Sequence, residues 1–469
     1  MLDFVIFAIT FFLALLGAVI YLYPGSRKVT SIPGLDPSDP NDGNLADIAK
    51  AGSLHEFLVE LHETHGPIAS FWMGQKMVVS TASPGLFSQQ SNVFDRPAEL
   101  YEVYKPLFGA PSILFTNGGA GRKRREMYDG SMRNEQLLKM SPIFSKLAEE
   151  LAAKWGTMVD DQHIPLTQHM LALSFKGILR TLFPGSFKDD KDVVSLRKNL
   201  DVCWHEMEQE VLTGEVPEKG SQKEKRFTDA KTALHTAFQQ VVSESKDKTV
   251  HGPASFLSTA AMHSDSQALS DSITYLGIGF QTTGNLLSWL IYFLATHQDV
   301  QQKVYDEIKS TLGETGKINP SNISKMEYLH QVIDESLRCA GLITWVARQQ
   351  DFDTELAGHK IVKNTPVIQA LGVVLQDENL WPVPNKFDPD RFSADAKADL
   401  PLFCFEPFGF AGRRRCPGFK YTYIEICSVV AVLLQKFTVH MVEGIVATPI
   451  YGLVTHPEDE VWVTVSKRK

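Results

Sequence analysis

The stretch FEPFGFAGRRRCPGF, from Phe405 to Phe419, decides how the rest of the chain is interpreted. It places Cys416 directly after three arginines and directly before Pro417 and Gly418. A helical pattern begins after Gly418, and both nearby cations and a helix N-terminus lower the pKa of a thiol. We therefore interpret Cys416 as a thiolate kept for chemistry, as a nucleophile or a metal ligand, and not as a small buried hydrophobe.

A second polar group lies upstream, in the segment Glu335-Ser336-Leu337-Arg338. Residues three apart share one face of a helix, so Glu335 and Arg338 can bond side to side. Such a pair alone is most often an exposed ion pair worth about 0.3–0.5 kcal/mol. However, FDPDRF, residues 387–392, supplies Arg391 in an apolar setting, and a second guanidinium can close a buried network with Glu335. Removing one member of such a network would cost about 3–5 kcal/mol.

Composition excludes several classes of protein. The 469 residues are 43% hydrophobic, which allows a large core, and the net charge of −9 argues against a nucleic-acid partner. The five scattered cysteines do not form a disulfide framework, which favours a reducing compartment. The fourteen histidines include no zinc-site spacing. Gly277-x-Gly279 lacks the third glycine of a nicotinamide-binding fingerprint, so it indicates room beside a cofactor or close helix packing.

The N-terminus has the pattern of a membrane anchor. Residues 4–23 are uncharged and mostly apolar, about the length needed to cross a hydrocarbon layer of roughly 30 Å. A cleaved signal peptide is the alternative, but its basic start is missing, and Arg27 and Lys28 follow the apolar run instead. Because the basic side stays in the cytosol, we expect a single-pass anchor at 1–24 with a lumenal N-terminus. A linker at 25–45 and a cytoplasmic domain at 46–469 follow.

Hydrophobic periodicity predicts a mainly α-helical domain with a minor β portion, an α+β fold. Ser53 is expected to cap a helix, and Gly74-Gln75 to turn a β-hairpin. The pattern is mainly helical over 142–262, with breaks at 183–185 and 214–225. Further predicted helices cover 267–297, 299–312, 325–340 and 418–439, and short strands are predicted within 347–369.

The cysteine loop, the Glu335–Arg338 pair and the FDPDRF segment occur in the order and spacing of the cytochrome P450 family, which the chain resembles over nearly its whole length. The resemblance is strongest to the vertebrate orphan family 20 of the P450s. It implies a P450 fold and haem b, with Cys416 as the axial thiolate ligand of the iron. The other residues that match family positions are Gly412, Arg414, Gly418 and Phe410 in the haem loop, Arg348 and Arg125 at the haem propionates, Thr282 and Gln281 in the oxygen-activating helix, and Glu335, Arg338 and Arg391 in a structural triad.

The chain departs from the family pattern at several of these positions. Gln281 replaces the acid before the helix threonine, and an amide cannot titrate near neutral pH. Gly121 stands where a tryptophan usually precedes the propionate arginine, and either Arg124 or Arg125 can be that arginine. The haem loop is one residue longer than usual, so Phe408 competes with Phe410 for the aromatic position.

The resemblance implies a monooxygenase that inserts one oxygen atom from O2 into a small lipophilic substrate, such as a sterol, a fatty acid or a xenobiotic. Electrons would come from NADPH through NADPH-cytochrome P450 reductase, with cytochrome b5 as a second candidate partner, at the endoplasmic reticulum membrane. An isomerase or dehydratase that needs no reductase, supported by Gln281, and a non-catalytic haem-binding protein are the alternatives. We expect the substrate pocket to be lined by residues 107–115 and 203–216.

Overall fold

The computed structural model describes residues 11–13, 15, 30–158, 162–245, 256–313, 316, 318–410 and 412–468. Residues 11–13 and 15 are helical and exposed, and the rest of the predicted anchor lies outside the described residues. Within the described ranges, no helix has both the length and the apolar character needed to cross a membrane. The division into an anchor, a linker and one domain therefore stays a prediction.

Helices dominate the described chain, as the periodicity predicts. The first part contains α1 (Leu45–Ala51), α2 (Leu54–His65), α3 (Pro84–Gln89), α4 (Lys105–Phe108), α5 (Gly118–Ser131), α6 (Asn134–Leu138), α7 (Ser141–Gly156), α8 (Leu166–Leu182), α9 (Asp190–Thr213), α10 (Gln222–Ser245) and α11 (Phe256–Ala260). The second part contains α12 (Asp265–Thr296), α13 (Gln298–Leu312), α14 (Pro320–Ile323), α15 (Glu327–Ala340), α16 (Leu371–Leu375), α17 (Ala394–Asp399) and α18 (Phe419–Lys436). Short 3-10 turns cover Ala98–Tyr104, Pro389–Phe392 and Gly412–Arg414.

Among the described residues, the β portion is small and lies in four separate sheets. The strands are β1 (Ile68–Met73), β2 (Lys76–Thr81), β3 (Ile164–Pro165), β4 (Val346–Arg348), β5 (Thr354–Leu356), β6 (His359–Ile361), β7 (Val367–Gln369), β8 (Phe437–Met441), β9 (Pro449–Tyr451), β10 (Thr455–Pro457) and β11 (Trp462–Lys467). The largest sheet has the order β1-β2-β7-β4, in which β2 and β7 run parallel and the other pairs are antiparallel. A second sheet has the order β3-β11-β8, and β5–β6 and β9–β10 are hairpins.

Side-chain caps begin several of the predicted helices where the sequence signals them. The Ser53 hydroxyl accepts from the backbone N–H of Glu56 at the start of α2. At the start of α12, Ser264 and Gln267 form a reciprocal capping box. The confirmed hairpin turns at Gly74, whose φ of +58° favours glycine.

Helix α12 is the central element, and its apolar residues are buried on nearly all sides. It packs closely along α8, where a methyl group at Gly284 would lie 2.9 Å from the Leu171 Cα. Small residues at this crossing let the two backbones approach. The close packing fixes α12 as one wall of the main cavity.

Candidate functional site

A large cavity lies between α8, α12, the strand β4 and the loop that carries Cys416. Its empty volume is about 1460 Å³, a figure that includes space open to solvent. Aliphatic side chains supply most of its wall, among them Ile113, Ile178, Leu182, Leu286, Leu342 and Leu371. Because its wall is mostly apolar, the cavity suits a flat, largely apolar cofactor or a lipophilic ligand.

Cys416 lies on the wall of this cavity, and its loop has a defined conformation. The Cys416 N–H donates to the Phe408 carbonyl at 2.8 Å, and Gly412 has φ +44°, a conformation that favours glycine. Burial raises the pKa of the Cys416 thiol, although the Gly418 N–H and the guanidinium groups of Arg125 and Arg415 oppose the shift. The sequence-based expectation of a lowered pKa is therefore wrong for the protein alone, because desolvation outweighs the neighbouring charges. A bound metal cation would deprotonate the thiol.

Four arginines line the same cavity: Arg96, Arg125, Arg348 and Arg414. No aspartate or glutamate is found among its described lining residues. Desolvation, and then the charge of neighbouring arginines, lowers the pKa of Arg348 to about 10 and that of Arg414 to about 8. The buried Nε atoms of Arg96 and Arg348 have no hydrogen-bond partner within the described part of the chain. The cluster therefore needs an anion to neutralise it.

The described lining residues fit haem. Cys416 supplies a sulfur ligand, and the unpaired guanidinium N–H groups of Arg96 and Arg348 suit the two propionate carboxylates of the porphyrin. Apolar side chains cover the remaining wall and suit the porphyrin ring. No cluster of three or more histidine, cysteine, aspartate or glutamate side chains that could hold a metal ion occurs among the described residues.

Arg125 and Arg124 point to different parts of the molecule, which resolves the alternative that the sequence leaves open. Arg125 lines the cavity, donates to the Arg415 carbonyl at 2.6 Å and pairs with Asp129 at 3.0 Å. Arg124 turns away from the cavity, and its Nε donates to Asp271 of α12 at 2.8 Å. Of the two arginines, Arg125 is therefore the one on the cavity wall, and its contact with a propionate stays a prediction.

Arg414 and Gly121 together account for the missing tryptophan. The Arg414 guanidinium donates to the carbonyl oxygens of Phe94 and Ile113, both at 3.0 Å, and to that of Thr116. A methyl group at Gly121 would lie only 2.3 Å from the Thr116 oxygen. Because the loop backbone fills this space, a tryptophan at position 121 has no room. Arg414 therefore holds the loop as well as lining the cavity.

The predicted oxygen-activating residues lie on the cavity side of α12 only in part. Thr282 lines the cavity, and its hydroxyl donates to the Ile278 carbonyl at 2.9 Å. Gln281 is buried but does not line the cavity, and its side-chain oxygen lies 3.5 Å from the Asn285 Nδ2. Gly279 does line it, and a methyl group there would lie 2.5 Å from the tip of Ile178. The close-packing interpretation of this glycine is therefore confirmed, and room beside a cofactor stays a prediction.

The predicted buried network around Glu335 is confirmed. Arg338 bonds both oxygens of Glu335, at 2.7 Å and 2.9 Å, and both side chains are almost fully buried. Arg391 is the looser member, with its Nε 3.5 Å from Glu335. Arg338 also donates to the carbonyl oxygens of Leu375 and Pro384, so the network ties α15 to the segments before the haem loop. These three residues support the fold beside the cavity and do not line it.

Other predicted site residues are placed differently from the expectation. Phe408 lines the cavity, whereas Phe410 stacks on Phe87 in a separate cluster at 5.3 Å between ring centroids. Residues 203–216 do not line it either, because Cys203, Trp204 and Met207 pack in the core. Arg96 also lines the cavity, but it lies in a segment without a motif, so no signal in the sequence predicts it. A buried arginine pointing into a cavity is visible only in three dimensions.

Comparison with known proteins gives a consistent result. The Cytochrome P450 family model matches residues 33–462. Cytochrome P450 20A1 of Homo sapiens is 36% identical over 475 residues, and that of Mus musculus is 38% identical over 472 residues, in both cases across 100% of each chain. Cytochrome P450 3A29 of Sus scrofa is 31% identical over 216 residues, which cover 46% of this chain and 41% of that protein.

Proposed function

Because the chain belongs to the cytochrome P450 family, we propose that it is a haem-thiolate monooxygenase that inserts one oxygen atom from O2 into a small lipophilic substrate. The observation that carries the proposal is one apolar cavity lined both by Cys416 and by arginines whose buried N–H groups lack partners. Haem bound through a thiolate supplies oxygen activation, because the sulfur pushes electron density onto the iron and favours O–O cleavage.

The roles of the side chains follow from their positions. Cys416 would ligate the iron, while Arg96, Arg125 and Arg348 would hold the propionates and so fix the plane of the ring. The Thr282 hydroxyl can hold a proton at the cavity wall, because it lines the cavity and is oriented by the Ile278 carbonyl. The aliphatic wall would exclude water and orient a lipophilic substrate.

The carbon monoxide difference spectrum of the reduced protein tests the thiolate. We expect a strongly red-shifted Soret band for the parent protein and its loss in Cys416→Ser, because the sulfur ligand is removed. Cys404→Ser is the matched control, since Cys404 is buried in a separate cluster away from the cavity. Haem absent from the purified parent, or a red-shifted band that persists in Cys416→Ser, would contradict the proposal.

An isomerase or dehydratase that rearranges a preoxidised lipid is a second candidate, and the amide at Gln281, in place of an acid, favours it. The amide cannot titrate, and no described acidic side chain lines the cavity to replace it. This candidate predicts turnover of a lipid hydroperoxide or endoperoxide without NADPH.

Gln281→Glu separates the two candidates. If the protein is a monooxygenase, restoring a carboxyl should speed NADPH- and reductase-dependent oxygen consumption severalfold, because general acid–base groups contribute strongly to proton transfer. Gln281→Leu is the control for loss of the contact with Asn285. Unchanged oxygen consumption together with reductase-independent turnover in the parent protein would favour the isomerase.

The partners and location belong to the same proposal. We propose electron supply from NADPH through cytochrome P450 reductase, with cytochrome b5 as a second donor, at the endoplasmic reticulum membrane. The supporting observation is the apolar run of residues 4–23 followed by Arg27 and Lys28. Alkaline extraction of membranes that contain the full chain tests the anchor, since an integral protein stays in the pellet.

A further inference from the structure

The segment from Asp95 to Gly118, called here the 95–118 loop although it contains a 3-10 turn and α4, forms one wall of the cavity, to which it contributes Arg96, Ile113 and Leu114. The base of the loop is closed by hydrogen bonds. Asn117 accepts from the Arg96 N–H at 3.0 Å and donates to its carbonyl at 2.8 Å, and the Gly118 N–H donates to Asp95 at 2.8 Å. These bonds do not reach residues 110–116, the tip of the loop, so contacts with other elements must position the tip.

The tip is held against α12 by a buried carboxylate. Asp271 is fully buried, and one of its oxygens accepts from the Ile113 N–H at 2.7 Å. Its other oxygen accepts from the Arg124 Nε at 2.8 Å and from the Tyr128 hydroxyl at 2.7 Å. Three elements, namely α5, α12 and the loop, thus meet at a single carboxyl group.

Arg124 completes the contact from the side of α5. It donates to the Pro111 carbonyl at 2.7 Å and to the Thr116 hydroxyl at 3.1 Å, on either side of Ile113. The carbonyl of Ile113 itself accepts from Arg414 at 3.0 Å. The peptide groups on both sides of the Ile113 side chain are therefore fixed, one to α12 and the other to the cysteine loop.

None of Asp271, Arg124 and Tyr128 lines the cavity, so they cannot contact a bound ligand. Burying an ion pair gains little stability over an apolar packing of similar volume. What this pair does provide is one fixed position for the loop tip, and hence for Ile113 in the cavity wall.

We propose that Asp271, Arg124 and Tyr128 are positioning residues that clamp Ile113 against α12 and keep the wall formed by residues 95–118 closed to bulky ligands. The inference rests on the proposed function in one respect, that the cavity holds haem and admits a lipophilic ligand. Loosening the clamp should free the loop tip while leaving the haem-binding residues in place.

Hydrogen–deuterium exchange of the haem-loaded full chain tests the clamp directly. In Asp271→Asn we expect peptides covering 110–117 to exchange at least tenfold faster, with peptides from α18 unchanged and haem content retained. Arg125→Gln is the matched contrast, because it changes the neighbouring arginine that faces the cavity, and it should lower haem retention. Tyr128→Phe removes one hydroxyl only and should give a smaller increase at 110–117, which keeps the test available if Asp271→Asn does not fold.

Ligand entry gives a second readout that a merely structural role would not change. Imidazole and 4-phenylimidazole both bind haem iron through nitrogen but differ in size. In Asp271→Asn we expect the association rate of 4-phenylimidazole to rise at least threefold and that of imidazole by less than twofold. If the association rates of the two ligands change equally in Asp271→Asn, the clamp is overturned. It is also overturned if hydrogen–deuterium exchange at 110–117 is unchanged or rises together with exchange in α18. Absence of any imidazole spectrum in the parent protein would instead count against the proposed haem site, and exchange would still decide the clamp.

Discussion

At the scale of single residues, Glu425 is the most unusual charged group outside the cavity. It lies on α18, is fully buried, and neither carboxyl oxygen makes a well-formed hydrogen bond within the described residues. Burial raises its pKa to about 8, and the neighbouring Ser174 hydroxyl only partly opposes the shift. The carboxyl is therefore mostly protonated at neutral pH and behaves as a neutral core group.

This position predicts a stability that falls as pH rises. Between the ordinary value of 4.5 and about 8, the folded protein keeps a proton that the unfolded chain loses. The contribution of this protonated carboxyl to the free energy of unfolding is fully present below pH 4.5 and is lost as pH rises through 8. Over this range the free energy of unfolding falls by up to about 1.4 kcal/mol per pH unit. In Glu425→Gln the melting temperature should change less between pH 5 and 9 than it does in the parent protein. The exposed control Glu355→Gln should show the same dependence of melting temperature on pH as the parent protein. An identical pH profile for the parent and Glu425→Gln would contradict this assignment.

At the scale of elements, two of the four glycines of α5, Gly121 and Gly130, have opposite surroundings. A methyl group at Gly121 would lie 2.3 Å from the Thr116 carbonyl oxygen, but one at Gly130 would meet no atom within 4 Å. Gly121 is needed for the loop to approach α5, whereas Gly130 only weakens the helix.

Alanine substitution at these two positions of α5 should therefore change the free energy of unfolding in opposite directions. Gly121→Ala should lower the free energy of unfolding by about 1–3 kcal/mol, because the backbone must shift. Gly130→Ala should raise it by about 0.5–1 kcal/mol through lower chain entropy. Denaturant unfolding of the two variants measures both values, and a shared sign would show that the loop does not approach α5 as described.

Elements were predictable from sequence where local patterns decide them. Ser53 and the hairpin turn at Gly74 each satisfy backbone groups within a few positions, so their signals are local. The directions of Arg124 and Arg125 were not predictable, because adjacent helix residues differ by about 100° and the pattern does not reveal what surrounds them. Phe408 lines the cavity in place of Phe410 because Phe410 stacks on Phe87, which is distant in sequence, so this placement was not predictable either.

At the scale of the whole molecule, the arginine cluster makes the protein depend on its ligand. Buried guanidinium groups without anions repel one another, so the fold without haem carries an electrostatic cost that bound carboxylates remove. The arginine cluster thus lowers the stability of the apoprotein and raises its affinity for an anionic cofactor.

Arg348→Met should stabilise the haem-depleted protein but weaken its binding of haem. Removing one buried cation should raise the melting temperature of the haem-depleted protein, because its desolvation and the repulsion from Arg96 disappear. The same change should lower haem retention, so the difference in melting temperature between the loaded and depleted forms should shrink. Arg180→Met, a surface substitution, is the control and should alter neither form. A loaded form stabilised as much as the depleted form would argue against propionate binding at Arg348.

The parallel pairing of β2 with β7 has a consequence for biosynthesis. The Thr81 hydroxyl reaches the Ile368 carbonyl, 287 residues further along the chain. At about 5–20 residues per second, the ribosome needs roughly 15–60 s to deliver that partner strand. During this interval the hairpin presents Val79 and an unpaired edge to solvent, so the nascent chain should be a chaperone client until β7 (Val367–Gln369) has been translated.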